Sequence, residues 1–102
     1  KWGPNTISLT LTDTHKNMAE VIQHHMHLIQ NSIQACINAG IEPKVIPLRG
    51  VTDGCWLSFH GLPCPNIGTG GHAFHTPFEH ITIESMEKVT QMLVELIKLY
   101  SR

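Results

Sequence analysis

The chain has 102 residues, 41% of them apolar and 15% charged, with a formal net charge of −1 when histidines are neutral. That length suits one small domain with a modest core, and the charge balance excludes both the basic excess that binds a nucleic-acid backbone and the polybasic run that seeks a lipid surface. No apolar run approaches the roughly 18 residues of a membrane span, and the start, Lys1-Trp2-Gly3-Pro4, is neither a signal peptide nor an initiator methionine, so the chain is expected to be cut from something larger.

In chain order, residues 6–12 (Thr-Ile-Ser-Leu-Thr-Leu-Thr) alternate apolar and hydroxyl side chains, the period of a half-buried strand. Residues 13–17 read as loop. From 19 to 39 the apolar positions Ile22, Met26, Ile29, Ile33 and Cys36 recur at spacings of four and three, which predicts one helix of about five turns closed by Gly40. Residues 43–48 lie between prolines and predict a brief strand. Residues 49–54 are a turn with two glycines and a helix N-cap candidate, and 55–60 a short helix closed by Gly61. Pro63 and Pro65 make the next stretch extended, residues 68–71 are a glycine turn, and 72–80 are irregular. Thr82 predicts the cap of a final helix with the apolar stripe Met86, Val89, Leu93, Leu96, Ile97 and Tyr100. Its acidic residues Glu84 and Glu87 lie early, with Lys98 and Arg102 late, as the helix dipole favours. Two amphipathic helices with short strands between them predict an α/β layer.

The cysteines, Cys36, Cys55 and Cys64, are odd in number and form no Cys-x-x-Cys pair. They predict buried free thiols in a reducing, cytoplasmic setting. The eight histidines are the unusual feature. His24, His25 and His27 lack the i, i+4 spacing and the intervening glutamate of a zincin helix and read as exposed helix residues. His72, His75 and His80 follow the glycine turn in an irregular stretch, where function concentrates. Glu79 stands four residues after His75, and Asp53 upstream; imidazole plus carboxylate suits zinc. Spacing alone leaves a metal site and plain surface histidines both open. Arg49 with the turn to Gly54 suits a carboxylate or phosphate, or is an ordinary turn capped by Thr52 or Asp53 beside a surface arginine. Ser58 lacks the Gly-x-Ser-x-Gly surround of a hydrolase elbow, and the glycines at 68–71 match neither a phosphate-binding loop nor a dinucleotide fingerprint.

Three stretches taken together have a family look. They are residues 41–54 (Ile-Glu-Pro-Lys-Val-Ile-Pro-Leu-Arg-Gly-Val-Thr-Asp-Gly), 57–66 (Leu-Ser-Phe-His-Gly-Leu-Pro-Cys-Pro-Asn), and 68–79 (Gly-Thr-Gly-Gly-His-Ala-Phe-His-Thr-Pro-Phe-Glu). In that order and with those gaps they resemble the C-terminal part of the two-zinc exopeptidase family that also contains glutamate carboxypeptidase and aminoacylase-type enzymes, in its tripeptide aminopeptidase branch. Residues 12–18 resemble the family's return from an inserted lid domain, and 83–88 its final helix, so the resemblance covers essentially the whole chain.

The resemblance implies the C-terminal portion of a three-layer α/β/α zinc-exopeptidase catalytic domain, plus one strand from the lid. Residues 1–18 would end the lid (dimerisation) domain and its return linker, and 19–102 would be the last part of the catalytic domain. It implies zinc, two ions per complete active site, one of them held from this chain by His75. It implies that Arg49 binds the substrate's carboxylate, for which a planar guanidinium fork is suited. Asp53 is implied to be a cap rather than a ligand. The general base and the other ligands would lie outside these 102 residues, so no catalytic residue is assigned and the chain alone is expected to be inactive. The partners implied are a short peptide substrate, the remainder of the enzyme and a possible homodimer, with no nucleic acid and no membrane. Two departures stand out: Val51 replaces the family's second glycine, and Thr76-Pro77-Phe78 replaces a more basic pattern. The rival readings are another exopeptidase of the family, dipeptidase or carboxypeptidase-like, and a non-catalytic metal-binding or interaction module.

Overall fold

A computed structural model describes residues 2–101; Lys1, and Arg102 with its expected place at the end of the last helix, lie outside the described residues. Four helices carry nearly all the regular structure: α1 (Ala19–Ile22), α2 (Met26–Asn38), α3 (Asp53–Phe59) and α4 (Ile83–Tyr100). The single helix expected over 19–39 is therefore broken. His25 adopts φ −133° and ψ 42° and becomes the N-cap of α2, without a side-chain hydrogen bond. The apolar spacing runs straight through the break because Ile22 and Met26 are still four apart. The intervening Gln23-His24-His25 includes two histidines, weak helix formers that do little to hold the turn helical. Helix α1 packs with α3, and α2 with α4.

The helix ends follow local chemistry. Gly40 sits at φ +72° just past α2. Its N–H donates to the Ile37 carbonyl (3.0 Å) and that of Ile41 to the Cys36 carbonyl (2.8 Å), the paired bonds of a Schellman ending. Gly61 at φ +94° ends α3 in the same manner, with the Leu62 N–H donating to Leu57 (3.0 Å). At the start of α4 the Thr82 hydroxyl oxygen accepts from the Ser85 N–H at 3.1 Å, satisfying one orphan donor.

The core lies between α2 and α4. Ala35, Ala39 and Met92 are buried there, with Cys36, Ile41, Val89, Leu96 and Leu99 packed around them. The two alanines leave room for Met92, which is 2% exposed. Lys88 on α4 donates from Nζ to the Ala39 carbonyl at 3.1 Å, a cation at the negative end of α2. The stripe read from the sequence is thus rotated: Val89 and Leu96 do face the core, joined by Met92 and Leu99, while Met86, Leu93, Ile97 and Tyr100 face outward.

A second cluster forms around α3. The Cys55 thiol donates to the Lys16 carbonyl (2.6 Å), and the Lys16 ammonium lies 5.6 Å from the centre of the Phe59 ring. The buried Ser58 hydroxyl donates to the Gly54 carbonyl (2.7 Å) and accepts from the Cys64 N–H (3.0 Å). Gly54 permits this approach, since a Cβ there would lie 2.5 Å from the Cys64 carbonyl oxygen. All three cysteines are free, Cys55 buried and the other two half-buried.

The expected α/β layer is present only in its helices. Among the described residues the single element of β pairing is the bridge between His72 and His80. The strands expected at 6–12 and 43–48 do not form, and the half-burial expected of 6–12 is corrected: Ile7, Leu9 and Leu11 are 87%, 78% and 83% exposed. Period-two alternation prescribes a face, but a ladder needs a neighbouring backbone, and none lies alongside. The radius of gyration is 18.6 Å, against about 13 Å for a compact chain of this length. Among the described residues no helix is long and apolar enough to cross a membrane.

Candidate functional site

Arg49 and His75 lie in separate exposed loops, one leading into α3 and the other preceding α4. In the first, Gly50 takes φ +111° and Val51 is not among the residues of positive φ. The position that demands glycine is therefore Gly50, which is why valine is tolerated at 51. Thr52 is the N-cap residue of α3, and Asp53 its first helical residue. The cap position expected of Thr52 or Asp53 thus falls to Thr52, but neither side chain makes a capping hydrogen bond. The Thr52 hydroxyl instead donates to Asn66 Oδ1 at 2.9 Å, tying the turn to the proline-rich segment. Asp53 lies at the positive end of the α3 backbone. Arg49 is exposed.

The second loop is seated by two glycines. Gly70 at φ +78° lies against α4, where an added Cβ would stand 3.2 Å from Ser85 Cβ; at Gly71 it would stand 2.8 Å from the Phe74 ring. His72 and His80 then exchange backbone hydrogen bonds of 2.8 and 3.1 Å. Their rings stack with centroids 5.2 Å apart, closing the loop at its base. Inside it Ala73 and His75 adopt φ 53° and 63°, a left-handed conformation costing a non-glycine residue about 1–2 kcal/mol. Such strain persists only where neighbouring bonds over-determine it, and it gathers at functional sites. The Thr76 hydroxyl donates to the Ala73 carbonyl (2.7 Å), the Phe78 N–H donates to that hydroxyl (3.2 Å), and the Glu79 N–H to the Thr76 carbonyl (3.1 Å). Glu79 Oε2 accepts from the His75 N–H at 3.2 Å. That bond is what the sequence reading missed, and the i, i+4 spacing of His75 and Glu79 is its only linear signal.

Zinc takes four donors, nitrogen, sulfur or oxygen. Among the described residues no group of three histidine, cysteine, aspartate or glutamate side chains is arranged to hold a metal ion. Asp53 stands at the start of α3 rather than in this loop, and the Glu79 carboxylate is turned to a backbone amide. The exposed His75 imidazole is chemically suited to be one such ligand, and the described residues complete no site around it. Of the three expected as exposed helix residues, only His27 is one: His24 and His25 lie in the break between α1 and α2, and His25 is half-buried.

No family model matches the chain. It is nevertheless 49% identical over all 102 residues to Peptidase T of Caldanaerobacter subterraneus subsp. tengcongensis, and 49% identical over 102 residues to Peptidase T of Alkaliphilus oremlandii. It is 50% identical over 95 residues, 93% of its length, to Peptidase T of Aeromonas salmonicida. The chain covers 25%, 25% and 23% of these proteins; it spans about a quarter of the length of the curated relatives it matches. The matched part is their C-terminal quarter.

Proposed function

We propose, for a chain whose full length matches the C-terminal quarter of peptidase T, that it is the C-terminal part of a cytoplasmic, zinc-dependent aminopeptidase that removes the N-terminal residue from tripeptides. The observation that carries this reading is the identity of 49% across all 102 residues, with His75 presented on a strained, heavily bonded loop as its structural support. In this reading residues 19–102 are the last part of a three-layer α/β/α catalytic domain, and residues 1–18 are the end of the lid domain and its return linker. His75 ligates one of two zinc ions; zinc, when bound, polarises the scissile carbonyl and acidifies water. Arg49 orients the substrate by gripping its C-terminal carboxylate through a charge-assisted fork. The general base belongs to the remainder of the enzyme, as do the other ligands, so the isolated chain is inactive. The exposed apolar faces at 6–12 and 43–48 are surfaces for that remainder, or, at 6–12, for a second copy.

The test replaces the C-terminal quarter of the Alkaliphilus oremlandii protein with this chain. The chimera is expected to release the N-terminal residue of a tripeptide and to leave an N-acetylated tripeptide intact. His75→Ala is expected to abolish activity and lower zinc content. Arg49→Ala is expected to raise KM for the free tripeptide about tenfold or more, the value of one charged hydrogen-bonding contact. A folded chimera whose zinc content ignores His75→Ala would overturn the ligand assignment. The Thr76-Pro77-Phe78 departure favours a second reading, a related exopeptidase of different preference, which predicts a zinc-loaded chimera that trims dipeptides or carboxyl ends instead.

A further inference from the structure

His75 pays a conformational penalty at φ 63° that glycine or asparagine would feel less, so something must hold it there. The hydrogen bonds from Thr76 and Phe78, and the His72–His80 bridge, shape the loop around it. One side chain grips the His75 backbone itself: Glu79, whose Oε2 accepts the His75 N–H at 3.2 Å. The next backbone turn brings the two together, because the Glu79 N–H is itself bound to the Thr76 carbonyl. We propose that Glu79 is the positioning residue for His75, its carboxylate locking the left-handed turn that presents the imidazole.

The inference rests on the peptidase reading only for what His75 is held to do. A metal ligand binds well in the orientation the other donors leave open, and groups behind the ligand commonly govern that orientation. Glu79 acts through the backbone of the ligand rather than through its ring. The contact also directs a carboxylate that sequence spacing would offer as a second ligand toward an amide instead.

The experiment is residue-resolved amide exchange by NMR on the full 102-residue chain and its variants, with the His72 and His80 amides of the bridge as internal references. The His75 amide is expected to exchange about tenfold more slowly than an unprotected backbone. Glu79→Ala is expected to abolish that protection and leave His72 and His80 unchanged, while Glu79→Gln, whose amide oxygen still accepts, restores most of it. A His75 amide that exchanges freely beside protected His72 and His80 amides would overturn the proposal. So would a Glu79→Ala variant that loses all three together, since Glu79 would then support the whole loop. In the chimera, competition with a chromophoric chelator gives a second readout: Glu79→Ala is expected to weaken zinc retention about tenfold at the site His75→Ala removes. Unchanged zinc retention in Glu79→Ala would overturn the positioning role. A chimera that never responds to His75→Ala would instead be the failure of the peptidase reading.

Discussion

Ser58 shows how a residue without a motif becomes structural. It is 3% exposed, and its single hydroxyl serves two partners, the Gly54 carbonyl and the Cys64 N–H. Removing it leaves a half-buried amide with no acceptor, and an unsatisfied buried donor costs about 1–3 kcal/mol. Ser58→Ala is therefore expected to destabilise the α3 cluster by that amount and to raise amide exchange at Cys64, with α4 amides unaffected, measured by NMR exchange on the same sample. The sequence offers no motif for this stitch, because nothing in residue type or spacing says that the Cys64 N–H turns back onto the Ser58 hydroxyl. His75 is the opposite case. Motif resemblance marks it, yet its left-handed backbone is not legible in the linear chain, and its bond to Glu79 shows there only as an i, i+4 spacing. Backbone strain of that kind is set by the loop's closure, not by the residue's own preference.

At the scale of elements, local rules predicted ends better than middles. Gly40, Gly61 and Thr82 end or start their helices through bonds that involve only neighbours within six residues, so residue type and position sufficed. Thr82→Ala is expected to cost the start of α4 about 1 kcal/mol, seen as faster exchange at Ser85 and a lower melting temperature by circular dichroism. The break at His25 is not legible in the sequence, because hydrophobic spacing reports a face and not the continuity of the backbone. The rotated stripe on α4 has a related cause. With apolar residues at 86, 89, 92, 93, 96, 97, 99 and 100, the helix offers more than one greasy face. The choice between them fell to the small Ala35 and Ala39 opposite, which admit Met92. Lys88, reaching the Ala39 carbonyl from the same helix, reinforces that choice of face.

Taken whole, the molecule has an extended outline and a small core: among the described residues five apolar side chains are buried, and the radius of gyration is 18.6 Å. Apolar residues line both unpaired extended segments, Ile7, Leu9 and Leu11 on one and Val45, Ile46 and Leu48 on the other. Unpaired apolar edges invite association. The chain alone is therefore expected to self-associate in sedimentation and to bind a hydrophobic dye, and replacing Ile7, Leu9 and Leu11 together by serine is expected to lower both while leaving helical dichroism unchanged. By itself the sequence determined the helix caps, the absence of a membrane-spanning helix among the described residues, the free cysteines and, through the order and gaps of its motifs, the likeness to peptidase T, because each of these is written in neighbouring residues or in linear spacing. Tertiary structure alone decided which face of α4 is buried, where the first helix breaks, what Ser58 and Glu79 hold, and whether the alternating segments pair. Those outcomes depend on which backbones and side chains actually meet, across the helix pair for α4 and around closed turns for Ser58 and Glu79, and hydrophobic spacing alone does not carry that information.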